Sequence, residues 1–205
     1  MNKLIAGLSF IFFSSFATAT IINFDTDANG VAIAANTPIT NQYQSLGVTF
    51  AGFEDGVLAD IAAAPDPDGV TAPSSPNVLT NCANANLGCP GNRADIVEIL
   101  FASSASNISL MLDTLGSSSV TFNLFDMNDL LIETQSITSG LFSAYVPVSF
   151  AATGVKRIEG LQPADGWAWA MDDLSFDAAD VPEPSSLALM SLIVLCLGFA
   201  RKRAS

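Results

Sequence analysis

The 205-residue sequence contains no histidine, and it holds only 3 cysteines, 2 tryptophans, 2 tyrosines and 7 basic residues. Each shortage excludes something. Without histidine the commonest general base is missing, and with it the usual Ser-His and Cys-His nucleophile pairs. A zinc site would need two more soft ligands beside any cysteine pair, so zinc is discounted. Positive charge is scarcest in the middle of the chain. Residues 20 to 181 carry 3 basic side chains against 19 acidic ones, a formal charge of −16. A body so charged repels nucleic acid and anionic membrane surfaces, and no nucleic-acid partner is expected. Helical periodicity is also lacking, because no window between the two termini repeats apolar residues at a spacing of three and four.

What the middle does show is alternation. Val120, Phe122 and Leu124 share one parity, as do Ile108, Leu110 and Leu112, and period two is the signature of a half-buried strand. Strands are expected over 21–25, 48–53, 95–102, 107–113, 119–126, 130–137, 144–150, 155–161 and 167–176. Turn residues separate them, such as Gly116-Ser117-Ser118-Ser119, Asp126-Met127-Asn128-Asp129 and Thr153-Gly154. Many short strands at even spacing predict an all-β domain over 20–180, an antiparallel β-sandwich. The stretch 62–91 breaks the pattern with five prolines and reads as a long exposed loop. It contains Cys82 and Cys89, a close pair that an oxidising compartment would join as a disulfide staple. Cys196 sits in a terminal apolar run and reads as an inert filler.

The termini supply the compartment. Lys3, an apolar run over 4–16 and Ala17-Thr18-Ala19 make the three parts of a secretory signal peptide, 1–19. At the other end, Pro182-Glu183-Pro184 is followed by an uncharged apolar helix over 187–200 and then by Arg201, Lys202 and Arg203. The prolines end the folded body. The run falls short of the about 20 residues of a full span, but flanking serines and snorkelling cations bring it close. The basic cluster holds that end in the cytoplasm and places the body outside.

Proline-glutamate-proline, helix and basic cluster, in that order over 181–205, resemble the PEP-CTERM sorting signal of exopolysaccharide-producing Gram-negative bacteria. The resemblance implies an exported precursor, handled by Sec translocation and signal peptidase. An exosortase-type membrane protease would then recognise Pro182, Glu183 and Pro184, cut the tail and pass the body to the cell surface. The alternative is a plain C-terminal membrane anchor with a proline-rich stalk. The body's opening, Ile21 to Asp25, and its close, Trp167 to Phe176, resemble the jelly-roll domains of such exported proteins, which are similar in outline to carbohydrate-binding modules.

For chemistry, the body offers carboxylates but no pair that spacing alone selects, and no catalysis is expected. No cofactor is certain. Calcium suits the acidity, and Asp25 and Asp27 at the first strand with Asp172 and Asp173 in the last are the candidate ligands if the terminal strands meet. Asp126-Met127-Asn128-Asp129 and Asp66-Pro67-Asp68-Gly69 read first as turns. Trp167 and Trp169 share a parity and could stack on sugar rings, or could equally be core. Two functions therefore stand: a surface module that binds exopolysaccharide without catalysis, and a structural biofilm component, calcium-stabilised, with no specific glycan.

Overall fold

The computed structural model describes residues 19–65, 71–82, 93–140, 144–163 and 165–179. Through them run twelve strands: β1 (Thr20–Ile22), β2 (Thr37–Pro38), β3 (Val48–Glu54), β4 (Val57–Ala59), β5 (Ala62–Ala64), β6 (Val78–Thr80), β7 (Ile96–Asp113), β8 (Val120–Phe125), β9 (Leu131–Ile137), β10 (Val146–Ser149), β11 (Val155–Leu161) and β12 (Ala170–Ala178). Among the described residues the one helical element is a 3-10 turn, Gln44–Leu46, closed by Gly47 at φ 84°. The protein is all-β, and every strand pairing is antiparallel.

β7 organises the sheet because its two halves have different neighbours. Its first half pairs with β3 and β11, and from there the sheet continues through β8 to β9, with β4 beyond β3. Its second half pairs with β10 and β12, and β12 leads on through β6 and β5 to β2, with β1 also on β12. The buried positions of β7 change parity on the way, from Val97, Ile99 and Phe101 to Ile108, Leu110 and Leu112. The change falls where Asn107 takes φ 51° and where the pairing with β12 slips. An irregularity of this kind turns a strand from one layer into the next.

Both halves then bury their inward faces in a single core. Phe101 of one half meets Phe176 of the other with ring centroids 4.9 Å apart, and Phe122 meets Trp169 edge-on at 5.8 Å. Gly160 makes the second contact possible. A Cβ there would lie 2.8 Å from the Trp169 ring, closer than side-chain carbons pack, and a tight 3.1 Å from Phe122.

Several expectations are corrected. The strands predicted over 95–102 and 107–113 are one continuous strand, because small polar residues at 103–107 serve a crossing between layers and not a turn. Residues 62–91 are not simply a loop: β5 and β6 lie within them, fully buried, and link β2 to β12. Three-residue strands held by main-chain pairing leave too little alternation to be seen among prolines. The last strand begins at Ala170, not at 167, so Trp167 and Trp169 precede it.

The compact unit that holds this sheet is Ala19–Val181. The expected signal peptide up to residue 18, Cys89, the Asp66–Gly69 turn, the motif Pro182, Glu183 and Pro184, the helix 187–200 and the cluster Arg201, Lys202 and Arg203 lie outside the described residues. No described helix is long and apolar enough to cross a membrane.

Candidate functional site: the outer face of one half-sheet

Trp169 is 1% exposed and packs in the core, so it presents no face to a ligand. Trp167 is half-buried, with its main-chain N–H donating to Asp165 Oδ1 at 3.1 Å and its Cβ against Gly116. The two tryptophans therefore do not form a platform. Equal parity failed as a guide here because the pair precedes the strand.

The acidic candidates fall in one region. β1 and β12 pair directly, with Ile22 opposite Leu174, and the Asp25, Asp27 and Asp172 carboxylates all act on the phenol of buried Tyr43. Burial first, and then those charges, hold Tyr43 above its ordinary pKa. Each carboxylate already has protein donors. Asp25 Oδ1 accepts from the Asn77 N–H at 2.7 Å. Asp27 Oδ1 accepts from the Asn29 and Val31 N–H groups at 2.8 and 2.9 Å, which hold it below the usual carboxylate range. Asp172 is fully buried and accepts from Ser74 N–H at 2.8 Å, from Ser74 Oγ at 2.9 Å and from Asp173 N–H at 2.8 Å. Burial nonetheless pushes its pKa up to about 7. Asp173 follows it at φ 47° and is half-buried. Among the described residues no group of three or more acidic or cysteine side chains is arranged to hold a metal. Asp126 Oδ1 accepts from Asn128 and Leu130 N–H groups and closes the β8–β9 hairpin as a turn residue. Cys82 is buried and is not a free thiol.

The surface that assembles chemistry is elsewhere, on the solvent side of β3, β7, β11, β8 and β9. Register across these five strands lines side chains into rows. One row reads Thr49, Leu100, Arg157, Phe125, Leu131, and the next reads Ala51, Glu98, Glu159, Asn123, Thr134. Five strands at the usual spacing make each row about 19 Å long. The first row is mainly apolar. Leu100 and Leu131 are 38% and 51% exposed, and the Arg157 guanidinium lies 3.9 Å over the Phe125 ring, an arginine–aromatic stack that makes a flat surface. The second row is polar. Thr134 Oγ1 donates to Asn123 Oδ1 at 2.9 Å, and beyond it Thr121 and Ser136 share a hydroxyl bond of 2.8 Å.

Arg157 ties the rows together. It donates through Nη2 to Asp129 at 2.6 Å, through Nη1 to Glu159, and lies 3.8 Å from Glu98. Glu98 and Glu159 stand directly opposite each other on neighbouring strands, an arrangement that like charges disfavour. Burial, and then the charges of Glu159 and Asp129, hold Glu98 above its ordinary pKa against the pull of Arg157. One arginine thus serves three carboxylates, and the face stays acidic. Sequence reasoning missed these residues. The outward parity of Thr121, Asn123 and Phe125, or of Arg157 and Glu159, was readable; which strands stand side by side was not.

No family model matches this chain, and no curated protein does. Among solved structures it is similar to the K2 cleaved adhesin domain of Lys-gingipain, at 11% identity and a TM-score of 0.49, over 78% of this chain and 98% of that one. The CBM51 module from Clostridium perfringens GH95, solved in complex with methyl-galactose, matches at 10% identity and a TM-score of 0.28, over 80% and 90% of the two chains. The CBM22-1 and GH10 modules of Clostridium thermocellum xylanase 10B, complexed with xylohexaose, match at 10% identity and 0.31, over 78% of this chain and 28% of that one.

Proposed function

We propose that the body binds an extended, uncharged polysaccharide on the outer face of the β3–β7–β11–β8–β9 half-sheet, without catalysis, at the cell surface or in the extracellular matrix. One observation carries the reading: an apolar row with a flat arginine–phenylalanine stack lies beside an acid, amide and hydroxyl row across five paired strands, with a bulge in β9 between Leu131 of the first row and Thr134 of the second. A sugar ring has an apolar face for the first row and hydroxyls for the second. The acidic excess of Glu98, Glu159 and Asp129 over Arg157 argues against an anionic polymer. The jelly-roll resemblance of the body's opening and close fits a sandwich that presents such a face. Export through the signal peptide, and sorting through Pro182, Glu183 and Pro184 by an exosortase-type protease, complete the proposal. Intact mass of the protein from its host tests that part: a product lacking 1–19 and ending near 181–184 supports it, and a retained 187–205 overturns it.

The binding part is tested by glycan array followed by calorimetry on residues 20–180, with Phe125→Ala and Asn123→Ala. Both side chains are half-buried outside the core, so the fold should persist while affinity drops at least tenfold. Wild-type affinity in both variants refutes the site.

A second reading, a matrix component that associates with itself, has its own observation. β4 and β9 are the outermost strands of this half-sheet and expose Val57, Leu58 and Leu131, and open apolar edges invite strand pairing. Sedimentation that shows concentration-dependent assembly, with no glycan bound, favours it.

A further inference from the structure

The apolar row does not end alike at its two sides. At β9 it runs out into solvent past Leu131, with exposed Thr134 of the polar row beside it. At its β3 end it is flanked by a cavity of about 210 Å³ whose walls include Gln44, Gly47, Thr49, Leu100, Ala102 and Lys156. Thr49 and Leu100 belong to both the row and the cavity, and Gly47 with Ala102, the next outward pair along the same two strands, carries the depression to one side of the row at its β3 end. The left-handed Gly47 closes the 3-10 turn that brings Gln44 to the rim. Lys156 is fixed at the opposite rim, its ammonium donating to the carbonyls of Phe101 and, at 2.7 Å, of Ala102. The space would hold about seven waters at their share of liquid volume, the scale of a single sugar ring. Around its apolar wall stand an amide, a hydroxyl and an ammonium, which between them donate to and accept from hydroxyls.

Resting on the glycan reading of the two rows, we infer that this face is one-ended: the cavity seats the terminal sugar of a polysaccharide chain, and the rows hold the sugars behind it. A chain laid along the rows leaves freely over β9. At the β3 end a terminal ring turns aside into the depression and presents its extra free hydroxyl to the polar rim, whereas an internal sugar seated there would have to carry the continuing chain out past Gln44. The protein would then count chain ends, and not chain length, when it binds a polymer.

The test uses β-1,4-linked hexasaccharides of glucose, xylose and N-acetylglucosamine, each free, capped with a bulky fluorophore at the reducing end, or capped at the non-reducing end. The expected result is that one cap weakens binding at least tenfold and the other does not. Ala102→Phe plugs the cavity from an exposed position and should weaken the free sugar by a similar factor, with an unchanged melting temperature and no remaining preference between caps. Equal affinity for all three forms, equal loss with either cap, or wild-type binding by Ala102→Phe overturns the inference while leaving the face a glycan site. If none of the hexasaccharides binds the wild-type protein, the platform reading itself falls and takes this inference with it.

Discussion

Asp172 gives the sharpest perturbation, because the chain has no histidine to titrate in the same pH range. Burial lifts this carboxyl to about 7, whereas an aspartate in an unfolded chain titrates near 3.9. Between those values the folded protein keeps a proton that the unfolded chain has released. Stability therefore falls as pH rises through the window and levels off above about 7. The sign is opposite to that of an ordinary salt-bridged aspartate. The gap between the folded and unfolded values corresponds to about 4 kcal/mol in all, of which roughly 3 kcal/mol should be lost between pH 5 and pH 8. For a domain of this size that is on the order of 10 °C in melting temperature. Glu98 is raised by burial too and acts in the same direction, while Asp27, Asp126 and Asp165 are lowered and affect stability only below their ordinary range.

Asp172→Asn separates this residue from the rest. Its amide keeps the volume and one acceptor but turns an NH2 group toward either the Ser74 or the Asp173 main-chain donor, a mismatch costing about 1–3 kcal/mol. The variant should be less stable than wild type at pH 5. At pH 8, where wild type carries the buried charge, it should match or exceed wild type. Urea unfolding followed by tryptophan fluorescence, with Trp169 in the core as reporter, measures both curves. A wild-type stability that is flat or rises from pH 5 to pH 8, or a variant that keeps the wild-type slope, refutes the reasoning.

Other consequences follow from the same packing. Gly160→Ala should destabilise by about 1–3 kcal/mol, since its methyl would meet the Trp169 ring and force one layer to shift; an unchanged urea midpoint would mean the layers are not in that contact. Excess calcium, against a chelator, should leave the melting temperature unmoved, because Asp25, Asp27 and Asp172 already accept from protein donors. A rise of several degrees would show that those oxygens turn to the ion instead.

How much of this was legible before folding depends on the reach of each signal. Alternation within one strand is local, and it gave β8 through Val120, Phe122 and Leu124, and the second half of β7 through Ile108, Leu110 and Leu112. The change of parity inside β7 was invisible, because Ser103, Ser104, Ser106 and Asn107 have the composition of a turn whether the chain reverses there or crosses between layers. Trp167 and Trp169 misled for a related reason: shared parity implies a shared face only inside a strand, and both lie before β12. The candidate face was hidden more deeply still. Glu98 and Glu159 are 61 positions apart in number but adjacent in register, and Phe125 meets Arg157 only because β8 and β11 are neighbours. A binding surface made of rows across strands is written in pairings between strands, which local sequence does not encode. For the same reason, single substitutions along one row should act on binding together while those along one strand should not. Phe125→Ala and Leu100→Ala, on different strands but in one row, are expected to weaken the same oligosaccharide. Phe125→Ala and Leu124→Ala, neighbours in sequence, are expected to split into loss of binding and loss of stability.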